Sequence, residues 1–152
     1  MSRALPTESA LLRGPAGAIE ALIDAPETVK GVALVCHPHP LFGGANTNKV
    51  AHTLARAYRD LGFAVIRPNF RGVGQSDDPG PRFTTGDLGR DLVELLDMLE
   101  LEQVDAAGYF LGGMTIQEAA LAAPERFRKL VLVGTWARPD VKRRMLLSEW
   151  AE

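Results

Sequence analysis

The sequence lacks most of the features that mark several specialised classes of protein. It holds one cysteine, Cys36, in 152 residues, so no disulfide can form within the chain and a reducing compartment is indicated. Its 17 basic and 19 acidic residues give a net charge of −2, which argues against a nucleic-acid-binding surface. No apolar run approaches the roughly 20 residues of a transmembrane helix, and the N-terminal residues lack an apolar stretch of signal-peptide length. We therefore predict a cytoplasmic protein that binds neither nucleic acid nor membrane.

The remaining composition is that of an ordinary globular domain. Hydrophobic residues make up 46% of the chain and charged residues 24%. There is no internal repeat, low-complexity tract or linker, so we predict a single domain over residues 1–152. Two half-apolar runs, 8–13 and 17–23, flank a turn that contains Gly14-Pro15-Ala16-Gly17 and indicate a β-hairpin.

Beyond the hairpin, apolar runs alternate with helical patterns. Runs that are apolar on both faces, typical of buried parallel strands, occupy 31–36, 63–66 and 129–133, with a weaker one at 104–107. Helical spacing occupies 46–61, 87–100 and 113–123, and the last segment is so apolar that burial on most sides is expected. The prediction is an α/β fold, with a mostly parallel sheet made of the hairpin plus about four parallel strands and helices on both faces.

In such sheets ligands bind beyond the carboxyl ends of the strands, which directs attention to three loops. The first, residues 37–44, reads His-Pro-His-Pro-Leu-Phe-Gly-Gly. Its prolines prevent regular structure and its glycines allow close backbone approach, so it could present N–H groups to an oxyanion. A metal site using His37 and His39 is the alternative, but a closed zinc site needs three or four ligands, and the only other histidine, His52, lies on a predicted helix. The histidines could also simply brace the loop, which is compatible with the oxyanion role.

The second loop, residues 69–77, reads Asn-Phe-Arg-Gly-Val-Gly-Gln-Ser-Asp. It has glycines suited to a phosphate cradle but lacks both the full Gly-x-Gly-x-x-Gly pattern and a following Gly-Lys-Ser/Thr. We therefore favour a loop of fixed shape in which carboxylates hold Arg71.

The third loop, Gly108-Tyr109-Phe110-Leu111-Gly112-Gly113, joins the weaker strand to the apolar helix. Gly-x-x-x-Gly at a strand-to-helix turn is the frame of the nucleophile elbow, whose small residues permit a sharp turn. In that frame the central side chain stands over the sheet, and the following backbone N–H can stabilise an oxyanion.

Taken together, the three loops resemble those of the α/β-hydrolase superfamily, in particular its small dienelactone-hydrolase-like and esterase-like members. Residues 37–44 look like the oxyanion loop of that family, residues 71–77 its Arg-Gly-x-Gly-x-Ser loop, and residues 108–118 its elbow and following helix. Residues 124–132 resemble its next turn and strand. The likeness covers roughly residues 10–150, in the expected order.

The resemblance implies site residues by position. Phe110 stands where the family has its nucleophile, and the backbone N–H groups of Leu111 and His39 would form the oxyanion hole. No cofactor or metal is implied.

Three departures follow. Phenylalanine cannot form an acyl-enzyme. All histidines precede the elbow, whereas the family's chain order is nucleophile, acid, histidine. Only residues 134–152 follow the last predicted strand, where the family has further βα units, and the segment from Arg138 to Trp150 looks like the start of a cap helix. Cys36 is a buried hydrophobe rather than a substitute nucleophile, and Asp140 is an acid without its histidine.

The functional prediction is an ester- or lactone-hydrolase relative that has lost catalysis, a pseudoenzyme or a truncated or altered chain. The alternatives are a binding module for a small apolar or ester-like ligand, and a weak residual esterase-like hydrolase. The last strand would be an exposed sheet edge, and Met145, Leu146, Leu147 and Trp150 would add apolar surface. We therefore expect a homo-oligomer formed through that edge.

Overall fold

The computed structural model describes residues 6–15, 17–40, 43–78, 80 and 82–138. This part of the chain forms one sheet with helices packed on it. The strands are β1 (Glu8–Gly14), β2 (Gly17–Asp24), β3 (Gly31–Cys36), β4 (Phe63–Pro68), β5 (Val104–Tyr109) and β6 (Phe127–Val133). The helices are α1 (Lys49–Asp60), α2 (Thr85–Met98) and α3 (Leu111–Ala122), and a short 3₁₀ turn, Pro124–Arg126, precedes β6. Among these described helices, none is both long enough and apolar enough to span a bilayer.

The sheet has six strands in the order β1-β2-β4-β3-β5-β6. Strands β4, β3, β5 and β6 run parallel, whereas β1 and β2 form an antiparallel hairpin whose second strand pairs antiparallel with β4. The predicted fold class is therefore confirmed, since the sheet is a hairpin joined to four parallel strands. The hairpin extends the sheet on the β4 side, and β6 forms the opposite edge.

Helices cover both faces of the sheet, which explains why the central strands are apolar on both sides. Successive residues of a strand point to opposite faces. Leu34 and Cys36 of β3 pack in a core with α2 and α3, whereas Ala33 and Val35 pack in a second core with α1. All four side chains are completely buried.

Capping residues fix where the first two helices begin. Asn48 accepts hydrogen bonds from the N–H groups of Val50 and Ala51 at the start of α1. Thr84 caps α2 and forms a reciprocal capping box with Asp87.

Most of α3 is buried or half-buried, as expected, but its last turn is not. Within residues 113–123 only Leu121 and Ala122 are exposed, Leu121 to 80%. The segment after β6 covers part of the remaining side, since Gln117 Nε2 donates to the carbonyl of Trp136 at 3.4 Å. Apolar composition alone does not show which part of a helix is left uncovered.

Strand β6 is exposed at the edge of the sheet. It pairs with β5 on one side, and no described strand pairs with the other side. Leu130, Val131 and Leu132 are each about 40% exposed. Of the segment from Arg138 to Trp150, which was predicted to be helical, the structure describes only Arg138. Asp140 and the apolar residues 145–147 and 150 lie outside the described residues.

Candidate functional site

The three loops identified in the sequence meet at the carboxyl ends of the parallel strands. The contact between the first and third loops is especially close. A Cβ atom built on Gly112 would lie 2.2 Å from the carbonyl oxygen of Cys36 and 2.8 Å from that of His37. Only glycine fits there, because α3 begins directly against the end of β3. The turn after β5 is therefore adjacent to the His-Pro-His-Pro segment.

The turn between β5 and α3 is tight and has an uncommon backbone conformation. Phe110 has φ 53° and ψ −110°, a region that costs a side-chain-bearing residue about 1–3 kcal/mol. Its N–H donates to the carbonyl of Val133 at 3.0 Å, and its carbonyl accepts from Met114 at 3.1 Å. A Cβ on Gly108 would lie 2.4 Å from the carbonyl carbon of Gly112, so the two glycines allow the turn to close.

The side chain of Phe110 is half-buried and contacts an aromatic residue that follows β6. Its ring meets the ring of Trp136 edge to face, with centroids 5.2 Å apart and planes at 86°. This is a favourable aromatic geometry that fixes the phenyl group above the turn.

His37 is completely buried and uses both ring nitrogens. Nδ1–H donates to the carbonyl of Pro38 at 2.6 Å, and Nε2 accepts the N–H of Phe70 at 3.1 Å. Because Nε2 receives a proton donor, the ring must be the neutral Nδ1–H tautomer. Burial lowers the pKa of His37 to about 4; the hydrogen bond to the Pro38 carbonyl acts in the opposite direction, and His39 adds to the lowering. Of the predicted roles, His37 therefore braces the loop, tying it to the loop after β4.

His39 is half-buried, and burial also lowers the pKa of its ring. Its carbonyl accepts the N–H of Gly44 at 3.1 Å, and a Cβ on Gly44 would lie 1.9 Å from the carbonyl of Pro38. The loop thus folds back on itself at this glycine. Leu41 and Phe42, which complete the predicted motif, lie outside the described residues.

The third histidine considered for a metal site lies elsewhere. His52 is exposed on α1, the helix that packs on the other face of the sheet from α2 and α3. Within the described ranges, no three His, Cys, Asp or Glu side chains are grouped in a way that could hold a metal ion.

The loop after β4 is held by the N-terminal hairpin, through a residue that sequence reasoning missed. The carboxylate of Glu20 accepts from Asn69 Nδ2 at 2.9 Å and from the N–H of Gln75 at 2.7 Å. Ser76 Oγ accepts the N–H of Glu20 at 2.9 Å and donates to the carbonyl of Asn69 at 2.7 Å. In the sequence, Glu20 stands out only as a glutamate between apolar residues of a predicted hairpin strand. That pattern does not identify the residues to which it hydrogen-bonds.

Arg71 is held by a carboxylate, as predicted. Its Nε and Nη2 donate to the two oxygens of Asp91 at 2.8 Å and 2.7 Å, a bidentate pair between largely buried side chains. The guanidinium carbon lies 5.7 Å from the centroid of the Phe83 ring, in cation–π geometry.

These loops enclose a cavity of about 210 Å³, which we call the loop cavity. The described residues lining it are His39, Pro40, Phe70, Arg71, Gly72, Val73, Asp78, Gly80, Phe83, Leu88 and Leu111. Two predicted site residues, His39 and Leu111, therefore share one cavity, with Phe110 adjoining Leu111 in the chain. A shallower depression of about 660 Å³ lies at the other end of the parallel strands, near the starts of β5 and β6. Its side chains are mostly charged and polar, and it contains none of the residues singled out above.

A family model and several known proteins are similar in sequence to this chain. Residues 34–152 match the family model described as alpha/beta hydrolase fold. The chain is 40% identical over 97 residues to a candidate carbamate hydrolase, RutD, of Azorhizobium caulinodans, an alignment that covers 58% of this chain and 36% of that protein. It is 35% identical over 82 residues to 3-oxoadipate enol-lactonase 2 of Acinetobacter baylyi, covering 54% of this chain and 31% of the lactonase. These alignments span only about a third of each relative.

A solved structure shows the same likeness in three dimensions. An α/β serine hydrolase without a lid, from Xanthomonas campestris, matches with a TM-score of 0.74 and 30% identity. The match covers 90% of this chain and 66% of that protein.

Proposed function

This chain belongs to the α/β-hydrolase fold family, and from that premise we propose that it is a member without nucleophilic catalysis. The observation that carries the proposal is Phe110, in the tight turn where the motif of the family has its nucleophile. A phenyl ring has no lone pair that can attack a carbonyl carbon, and no general base can activate it.

Three other reactive side chains of the described region are engaged or distant. Cys36 is completely buried in the core, and burial raises the pKa of its thiol so that no reactive thiolate forms. Both ring nitrogens of His37 are hydrogen-bonded within the protein, so it has no free lone pair for general-base catalysis. His52 lies on the other face of the sheet. These facts support the proposal that Phe110 has no substitute among these groups.

The backbone of the turn retains a polar feature that suits substrate carbonyls. Leu111 is the first residue of α3, so its N–H belongs to the unpaired donors at a helix start. We assign the N–H groups of Leu111 and His39 to an oxyanion hole. Without a nucleophile, such donors can hold a carbonyl oxygen and, at most, give slow non-covalent hydrolysis.

The loop cavity favours a second function, the binding of a small ligand. Its lining is mainly apolar, and an engineered cavity of about 150 Å³ binds benzene. A cavity of about 210 Å³ therefore has room for one ring with a short substituent. The named activities of two relatives, on a carbamate and an enol-lactone, both concern carbonyl compounds. We propose that the ligand is a small aromatic or acyl compound whose carbonyl oxygen meets the N–H of Leu111.

A fluorophosphonate probe tests the first proposal. This reagent phosphonylates an activated hydroxyl or thiol, and intact-protein mass spectrometry detects the adduct. We expect no adduct on the unmodified chain and no burst with p-nitrophenyl acetate. A stoichiometric adduct or a burst would overturn the proposal.

The Phe110→Ala and Phe110→Ser variants serve as a matched pair. The serine variant places a hydroxyl at the turn but adds no base, so we expect labelling at most slowly, with none in the alanine variant. Slow turnover that is equal in the unmodified chain and both variants would favour residual hydrolysis assisted by the backbone.

A further inference from the structure

The loop cavity contains one permanently charged cation among the described residues that line it, Arg71. An arginine in a pocket usually binds a carboxylate through two parallel N–H···O hydrogen bonds. Here Nε and Nη2, which form such a fork, already donate to Asp91. A ligand carboxylate would therefore have to displace a bidentate partner from a largely buried position.

Further negative charge surrounds the same guanidinium. The pKa of Arg71 is raised first by its hydrogen bond to Asp91, and the charges of Asp87 and Glu94 on α2 add to the effect. Asp87 is itself paired with Arg90, so the main group that neutralises Arg71 is its bidentate partner Asp91. Its flat face rests near Phe83, so it contributes to the wall mainly as a planar surface.

The cavity also has a carboxylate of its own. Asp78 lines the cavity from the loop after β4, and its Oδ1 accepts the N–H of Gly80 at 3.1 Å. Burial lowers the pKa of the second ionisable group in the wall, His39, which favours its neutral form. The charges that line the cavity, counted with the partner of Arg71, therefore sum to a negative value.

We infer that the loop cavity selects neutral or positively charged small molecules and disfavours carboxylates. The inference rests on the proposed ligand-binding function and specifies the charge of its ligand. Its chemical consequence is that an ester, amide or lactone binds, whereas the carboxylic acid released by hydrolysis of such a compound binds poorly.

Three compounds with the same ring test this selection. Benzylamine, benzamide and benzoate carry, at pH 7.5, an ammonium, a neutral amide and a carboxylate. Titrations of ¹⁵N-labelled protein followed by NMR give each dissociation constant, and shifts at Leu111 and Val73 locate the site. We expect benzoate to bind roughly two- to fivefold more weakly than benzamide, the range of exposed charge pairs, and benzylamine to bind at least as tightly as benzamide.

Two variants test whether Asp78 causes the charge preference of the loop cavity. Asp78→Asn removes the exposed carboxylate of the wall and should reduce the ratio of benzylamine affinity to benzoate affinity by more than it changes the affinity for benzamide. Asp60→Asn is the matched control, because Asp60 is 71% exposed at the end of α1 on the other face of the sheet, and should leave all three affinities unchanged.

The outcomes are distinguishable. Benzoate binding as tightly as benzamide, or tighter, overturns the charge selection while the binding function stands. If none of the three compounds shifts Leu111 or Val73, the proposed binding function fails and the inference with it. An unchanged preference in Asp78→Asn overturns the role of this residue.

Discussion

Acidification should destabilise the protein through His37, and the size of the effect follows from its burial. A histidine buried as the neutral form has a lower pKa in the folded than in the unfolded state, so the unfolded state binds the proton first as pH falls. The stabilising contribution is complete above pH 6.5 and is lost as the pH falls from 6.5 towards 4. A shift in the pKa of His37 from 6.5 in the unfolded chain to about 4 in the folded protein corresponds to roughly 3 kcal/mol in the free energy of unfolding.

Urea unfolding of the unmodified chain and of His37→Asn, at several pH values between 7.5 and 4, measures this contribution. At pH 7 the variant should be less stable by roughly 2–4 kcal/mol, because the N–H of Phe70 and the carbonyl of Pro38 lose well-placed partners. Asparagine does not titrate in this range, so the difference between the two proteins should shrink by roughly 3 kcal/mol by pH 4. Carboxylates titrate in both proteins, so their contribution to the pH dependence cancels when the two free energies of unfolding are subtracted.

His52→Asn is the control, because His52 is exposed on α1, and its pH profile should run parallel to that of the unmodified chain. Parallel profiles for the unmodified chain and His37→Asn between pH 6.5 and 4 would refute the reasoning. They would mean that His37 accepts a proton in the folded state as readily as in the unfolded one.

The remaining predictions concern packing, charge and association. Gly112→Ala places a Cβ 2.2 Å from the Cys36 carbonyl and should cost roughly 1–3 kcal/mol in thermal unfolding, whereas in Gly86→Ala the new Cβ stays at least 3.4 Å from its neighbours and should be neutral or stabilising. Asp91→Asn removes the bidentate partner of the arginine in the cavity wall and should cost roughly 2–3 kcal/mol in urea unfolding; no loss would mean that the pair is not stabilising. We propose that the edge of β6, on which no described strand lies, pairs with a second copy. Sedimentation velocity should therefore show concentration-dependent association that Val131→Lys weakens, and a chain that stays monomeric would contradict this.

Local patterns were enough to predict most of the fold. The run 31–36 is apolar at every position, and the structure shows β3 covered on both faces. The hairpin around Gly14 and Gly17 was likewise predictable, because a tight turn depends on neighbouring residues. The weaker run at 104–107 proved to be a buried central strand, since small residues suffice where helices pack closely.

The parts that could not be predicted depend on contacts between residues distant in the chain. Glu20 reaches Gln75, and Arg71 reaches Asp91 on a helix, yet neither sequence segment identifies its partner. The exposure of Leu121 and Ala122 at the end of α3 was also missed, because apolar composition does not say which part of a helix is left uncovered. The positions of His39 and Leu111 at one cavity followed from the motif order, whereas the negative charge of that cavity required the structure.

The attachment of the loop after β4 to the N-terminal hairpin has a kinetic consequence. Glu20 and Gln75 are 55 positions apart, so this anchor adds to the loop's own hydrogen bonds only once the hairpin has joined the sheet. Closing the chain between such remote positions costs entropy, which the pairing of β2 with β4 has to offset. The wall that carries Arg71 should therefore gain its full protection from amide exchange no earlier than that pairing during refolding, and ligand-binding competence should follow it.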